Sequence, residues 1–402
     1  MSSNFVKNAI FYFIIYGVLF LIVEVAAYKF LKSYQGGDVA IVYDPDLTAA
    51  DGYEEYLEIR DDVLGWPATN GNKKHGLDEI GARISPAFPD VQSKSCIAVF
   101  GDSFTFGDEV EADAAWANVL AQKVNCRINN FGINGYGSDQ AFLRYTNFQH
   151  DTSKIVILSH LSENIIRNVN QYRDLLFWGG GYAFKPRFIL DQKDQLSHVN
   201  IPTISSDDYK SFLQNPNKFL PHEYFRLKGD VGIVKFKFPY SFNLVRAFSH
   251  IRIQNKFLKM KTGFYKPTYA DFYQPDHPSK GLHVTKEILK QFTILAKQRG
   301  QTPVLTIIPT SSDLDYFRNT DQWTFQPLLD QLQQEGLAVL NIGEKLMEKH
   351  SDKDVCDLFV NCSGHYNEPG NRILADIFQE HLLDLHLIPN RENEKNMSYI
   401  KN

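Results

Sequence analysis

The chain has 402 residues, with 42 Lys and Arg against 47 Asp and Glu and a net charge of −5. That length suits one large domain, or one domain with an anchor and insertions. The charge balance, with no basic run, excludes an electrostatic footprint for nucleic acid. Aromatic residues make up 13%, with 30 Phe and 20 Tyr, enough for a well-packed core or an aromatic-lined groove.

Ala9 to Val23 carries no charge, and the hydrophobic pattern continues past Glu24 to about Leu31. As a helix this segment is long enough to cross roughly 30 Å of hydrocarbon. Val25-Ala26-Ala27 resembles a small-residue cleavage site, so a removed signal peptide is the competing reading. Glu24, Lys29 and Lys32 fit an uncleaved anchor whose far end emerges into water. Lys7 on one side and Lys29 and Lys32 on the other leave orientation open. A short leader ahead of everything else favours export, so the enzyme-like region is expected outside the cytoplasm, periplasmic or at the cell surface.

The expected division is an anchor at 1–32, a stalk or lead-in at 33–90, a main domain at 91–388 and a polar tail at 389–402. Within the lead-in, Val63-Leu64-Gly65-Trp66 reads as a packing point. From Ser95 the pattern becomes regular: strand 96–100, helix 112–123, strand 126–131, helix 138–149 and strand 154–160. This alternation predicts a parallel sheet covered on both faces. It stops over about 170–280, an aromatic-rich insertion with a Gly179-Gly180-Gly181 hinge, a hairpin across 188–199 and a helix over 240–254. Regularity returns with helix 284–298, strand 303–308, helix 325–335, strand 337–340 and helix 370–386.

The four cysteines fit an oxidising compartment. Cys356 and Cys362 share one loop, and Cys96 and Cys126 open neighbouring predicted strands. Each pair could be bridged or remain buried thiols.

The chemistry starts at Gly101-Asp102-Ser103, an abrupt turn between a buried strand and a helix. A serine there projects from the carboxyl edge of a sheet near N–H groups suited to an oxyanion, although for a lone Gly-Asp-Ser the commoner reading is that Asp102 or Ser103 caps a helix. The second strand runs into Asn130-Phe131-Gly132-Ile133-Asn134-Gly135, whose Gly135 N–H can approach a substrate oxygen closely. The third ends near Asn164, a neutral amide donor. His365 lies in Gly364-His365-Tyr366-Asn367-Glu368-Pro369-Gly370, where Asn367 can cap the last helix and Pro369 suits its first turn. A histidine held this way is a plausible base. No helix carries paired histidines, and His365 with Asp357 lacks a third ligand, so no metal site is read. Phosphate loops and dinucleotide fingerprints are absent, and no cofactor is expected.

Gly101-Asp102-Ser103, Gly135, Asn164 and His365 occur in the order and context of the SGNH (GDSL-type) hydrolases, which the chain resembles over about 96–165 and 300–386. The resemblance implies a flavodoxin-like three-layer α/β/α sandwich and ester chemistry. Ser103 would attack the acyl carbon and His365 would take its proton. The N–H groups of Ser103 and Gly135 and the amide of Asn164 would form the oxyanion hole. The family usually carries an acid two or three residues before the histidine; here Cys362 and Ser363 stand there, leaving Asp357 or Asp354 as candidate orienting acids. Ile165 stands where many members carry Asp. With the expected compartment, the resemblance implies removal of small acyl groups, O-acetyl above all, from a cell-surface polysaccharide. An O-acyltransferase with the same site, and a catalytically impaired binding or assembly protein, are the alternatives. Phe177, Trp178, Tyr182 and Phe184 suit either core packing or stacking on sugar rings.

Overall fold

A computed structural model describes residues 3–35, 41–43, 52–66, 76–147, 153–176, 184–226, 234–351 and 353–389. Its centre is a five-stranded, all-parallel sheet of β1 (Ser95–Phe100), β2 (Arg127–Asn130), β3 (Ile155–Leu161), β4 (Thr302–Ile308) and β5 (Val339–Asn341), in the order β2-β1-β3-β4-β5. Ala98 pairs with Asn129 on one side and Val156 on the other, and Leu158 pairs with Leu305. β3 is buried at all seven positions, which is why it reads as a continuous apolar run rather than an alternating one.

The connections place the helices. The β1-to-β2 crossover steps one way and the β2-to-β3 crossover steps back, so right-handed crossovers set their helices on opposite faces. Trp116–Val124 therefore covers one face, where Trp116 stacks on Phe378 of Glu368–Asp384 with ring centroids 4.2 Å apart. Ser138–Asn147 covers the other, where Tyr145 meets Phe292 of Gly281–Gln298 at 4.8 Å. This is the flavodoxin-like three-layer sandwich expected from the sequence, and its strand order reverses at β1.

Several boundaries differ for local reasons. The helix expected from 112 begins at Trp116, because Ala112–Ala114 forms a 3-10 turn and Ala115 is extended. The helix expected over 240–254 is two, Tyr240–Phe248 and Ile251–Thr262; the extended His250 separates them, and its ring accepts from the Arg252 N–H at 3.2 Å. Ser206–Gln214, Ser311–Thr320 and Ile342–Lys349 were not anticipated from periodicity. Each begins at a side-chain cap, from Ser205, Thr310 and Asn341 respectively. Both cysteine pairs are disulfides, Cys96–Cys126 and Cys356–Cys362.

The chain divides into two compact units, 1–58 with 170–184 and 202–263, and 59–169 with 185–201 and 264–402. The residues expected as lead-in and those expected as insertion each contribute to both units. In the first unit, Ser3–Lys32 is one helix, and Phe5–Lys32 is long and apolar enough to cross a membrane. Leu31 joins Ile41, Val42, Val234, Ala247 and Ile253 in a small core, while Val42–Tyr43 pairs in parallel with Val234–Lys235. The second unit holds the sheet together with Ser103, Gly135, Asn164 and His365.

Candidate active site

The β1 strand ends in a turn that carries Ser103. Asp102 caps the short helix Ser103–Phe106 by accepting from the Phe104 N–H at 2.9 Å. The capping role considered for Asp102 is therefore real, and it leaves Ser103 at the first helical position. Gly101 is required there, since a Cβ would lie 2.0 Å from the Thr105 hydroxyl. Arg167 donates to Asp102 at 3.4 Å and to the Tyr136 carbonyl at 3.1 Å, tying the serine turn to the glycine turn after β2. Burial pushes the Asp102 carboxyl up, and Arg167, the Phe104 N–H and His365 oppose that shift.

Gly135 adopts φ +78°, the left-handed region that favours glycine. Trp66 covers it: a Cβ at Gly135 would sit 3.3 Å from the indole nitrogen, which donates to the Asn134 carbonyl at 3.0 Å. The Leu64 carbonyl accepts from Gln140 at 2.7 Å, so the expected packing point borders the site itself. Asn164 opens the turn after β3. It lies near the Asp102 carboxylate and helps keep it charged, yet neither of its fully buried amide atoms makes a hydrogen bond of ordinary geometry. An unpaired buried amide has donor capacity to spare.

His365 reaches the same edge from the loop before Glu368–Asp384. Asn367 caps that helix through the Gly370 N–H at 2.9 Å, with Pro in the first turn, as expected. Gly370 permits the packing, since a Cβ would meet the Leu358 carbonyl at 2.4 Å. Asn371 holds the loop by donating to the Tyr366 carbonyl at 2.7 Å and accepting from the Trp116 N–H at 3.0 Å. The His365 ring lies 4.7 Å from that of Phe104, the residue after Ser103. His365 makes its hydrogen bonds to Glu109, and none joins it to Ser103 among the described residues. A nucleophile–base hydrogen bond commonly tightens only with substrate bound.

Neither Asp357 nor Asp354 orients the histidine. Asp354 accepts from the Cys356 N–H at 2.9 Å to cap a short turn, and the Asp357 carbonyl accepts from Asn367 at 2.8 Å. The acid is Glu109, whose carboxylate accepts the His365 main-chain N–H at 2.6 Å and lies 2.8 Å from Nδ1. Those His365 bonds hold its carboxyl below the usual range, against a smaller effect of burial. The two positions where an acid was expected before the histidine are taken by Cys362, at positive φ and bonded to Cys356, and by Ser363. Glu109 comes instead from the loop after the Ser103–Phe106 helix, where it sits at positive φ, +67°. Arg83 clamps that loop through the Gly107 carbonyl at 2.6 Å and the Val110 carbonyl at 2.8 Å. The neighbouring Asp108 accepts from the Asn134 side chain and thereby joins the loop to the Gly135 turn.

Nδ1 donating to Glu109 leaves Nε2 as the proton acceptor. A hydroxyl, a base with its tautomer fixed, and N–H donors at one sheet edge are the parts of acyl transfer. Of the aromatics weighed for sugar stacking, Phe177, Trp178 and Tyr182 lie outside the described residues. Phe184 is buried against Tyr172 with centroids 4.8 Å apart, a core position. No group of metal-ligating side chains occurs among the described residues.

No family model matches the chain, and no curated protein is similar to it. Among solved structures, a member of the lipolytic protein G-D-S-L family from Veillonella parvula DSM 2008 is 12% identical, with 71% of this chain and 96% of that one covered and a TM-score of 0.34. An acetyl xylan esterase from the rumen bacterium Butyrivibrio proteoclasticus is 11% identical, over 75% and 66% of the two chains, at a TM-score of 0.28. At such values the likenesses carry no argument, and the fold assignment rests on strand order and crossovers.

Proposed function

We propose that the chain is a membrane-anchored, extracytoplasmic serine ester hydrolase. Ser103 Oγ attacks the acyl carbon while His365 Nε2 takes its proton, and Glu109 orients the ring and stabilises the imidazolium. The oxyanion is held by the Ser103 and Gly135 N–H groups and the Asn164 amide. His365 then protonates the departing alkoxide, giving the free alcohol and an acyl-Ser103 ester. Water, deprotonated by His365, releases the carboxylic acid and restores the hydroxyl. The observation that carries this reading is the bond between Glu109 and His365 Nδ1. The substrate class, a small acyl ester and in particular an O-acetyl group on a surface polysaccharide, rests on the family resemblance and the expected compartment.

The catalytically impaired reading drew its support from the lack of an acid before the histidine, and Glu109 removes that ground. The test is labelling by a fluorophosphonate probe together with hydrolysis of an aryl acetate. Wild type is expected to label and turn over, and Ser103→Ala and His365→Ala to do neither. A folded wild type that neither labels nor cleaves overturns the reading.

A further inference from the structure

Glu24 is the one charged residue between Ala9 and Tyr28, and it is buried. Its carboxylate accepts from the Tyr240 N–H at 2.5 Å, the Ser241 N–H at 3.2 Å and the Ser241 hydroxyl. These are the first donors of the Tyr240–Phe248 helix, whose N-cap position is Pro239 and supplies no side-chain acceptor. The anchor helix thus caps a second helix from outside. Ring contacts fix the register between them: Phe238 against Phe20 at 6.2 Å, Tyr240 against Tyr28 at 5.2 Å and Phe248 against Phe30 at 5.5 Å. The start of the short helix therefore lies level with Glu24, at the end of the uncharged run, and Phe238 just before it lies beside Phe20 within that run.

The outward side of this segment is apolar. Phe238 is 56% exposed, Phe242 74% and Val245 70%. Residues 235–262 contain seven Lys or Arg and no Asp or Glu, a composition that favours an anionic lipid surface. We propose that Phe238, Phe242 and Val245 enter the edge of the bilayer hydrocarbon as a second membrane contact beside the anchor. The exposed Arg246, Lys256 and Lys259 lie among the headgroups, and Lys237 reaches them by extending its stem. The bilayer is the occupant because the apolar face continues the lipid-facing surface of the N-terminal helix at the same depth. This inference rests on the membrane-spanning reading of that helix.

Depth-dependent quenching of the full chain in liposomes tests it, using phosphatidylcholine brominated at shallow or deep acyl positions and mixed with phosphatidylglycerol. Tyr16→Trp reports on the anchor and Phe242→Trp on the short helix, each corrected for wild-type emission. The added emission of Phe242→Trp is expected to fall about twofold, more with shallow than with deep bromines, and that of Tyr16→Trp to fall most with deep bromines. Quenching of Tyr16→Trp alone overturns the second contact and leaves the anchor standing; a blue-shifted but unquenched Phe242→Trp, covered by protein or by a second copy, does the same. An unquenched Tyr16→Trp overturns both.

Discussion

Two histidines at the sheet show what hydrogen-bond distance does and does not indicate. His160, on β3, has Nδ1 2.7 Å from the Ser138 hydroxyl and Nε2 2.9 Å from the Tyr273 hydroxyl. By distance it looks the better serine–histidine pair, yet it is fully buried, and burial pushes its pKa down to about 3. His365 touches no serine, but its side chain is 22% exposed and a carboxylate stands behind Nδ1. A base needs an acid to hold its tautomer and room for a substrate, whereas His160 has two hydroxyls and no room. The first region suits stability, and the second suits the proton transfer proposed for it.

The sharpest way to break that contrast is Glu109→Gln. It keeps shape and removes charge, so kcat is expected to fall by about 10³ to 10⁴ while the melting temperature barely moves; a loss under tenfold would remove Glu109 as a positioning residue. The mirror experiment is His160→Phe, which leaves two buried hydroxyls short of a partner. It should cost about 2 to 4 kcal/mol by denaturant melt with kcat per folded molecule unchanged, and a collapse of kcat in folded protein would reverse the two roles. Gly364→Ala probes the gap around the acid, because a Cβ there would lie 2.5 Å from the Glu109 carboxylate. Displacing that oxygen is expected to lower kcat about tenfold or more with KM held, and Gly364→Ser should be worse.

The smallest effect is one of pH. His160 stays neutral in the native state down to about 3, while an unfolded histidine takes up its proton near pH 6.5. The unfolded state binds more protons across that interval, so stability falls as pH drops, by up to about 1.4 kcal/mol per unit. His250, likewise buried and pushed down to about 3, adds to it. His160→Gln should flatten the slope between pH 6.5 and 4.5 by close to one proton, and an unchanged slope would mean that His160 is charged when folded.

Much of the sheet is legible in the sequence because strands buried on both faces are uninterrupted apolar runs, as in Lys154 to His160. The serine turn, the Gly135 turn and the capped histidine loop are legible for the same kind of local reason. Glu109 is not, because its bond to His365 spans 256 residues. Its only local sign is the Asp108-Glu109 pair just after Gly107, in the loop that leaves the Ser103 turn. The helix starting at Ser311 escapes periodicity, although Thr310 and Asp313 form a capping box that announces it. The division into two units is set by long-range pairing such as Val42 with Val234, for which no local pattern exists.

The connection from Leu161 to Thr302 has a consequence for how such a chain acquires new parts. At residues 162–301 it is about five times longer than the β1-to-β2 connection over 101–126, yet β3 and β4 remain hydrogen-bonded neighbours along seven residue pairs. Closure entropy grows only with the logarithm of length, so a fivefold longer excursion costs about 1.4 kcal/mol, and less where the excursion folds on itself. The position between β3 and β4 is therefore a cheap port. Ser103, Glu109 and the Gly135 turn come before it, Asn164 stands at its very start and His365 comes after it, so the excursion beyond Asn164 can be enlarged, exchanged or trimmed without touching a residue of the proposed site.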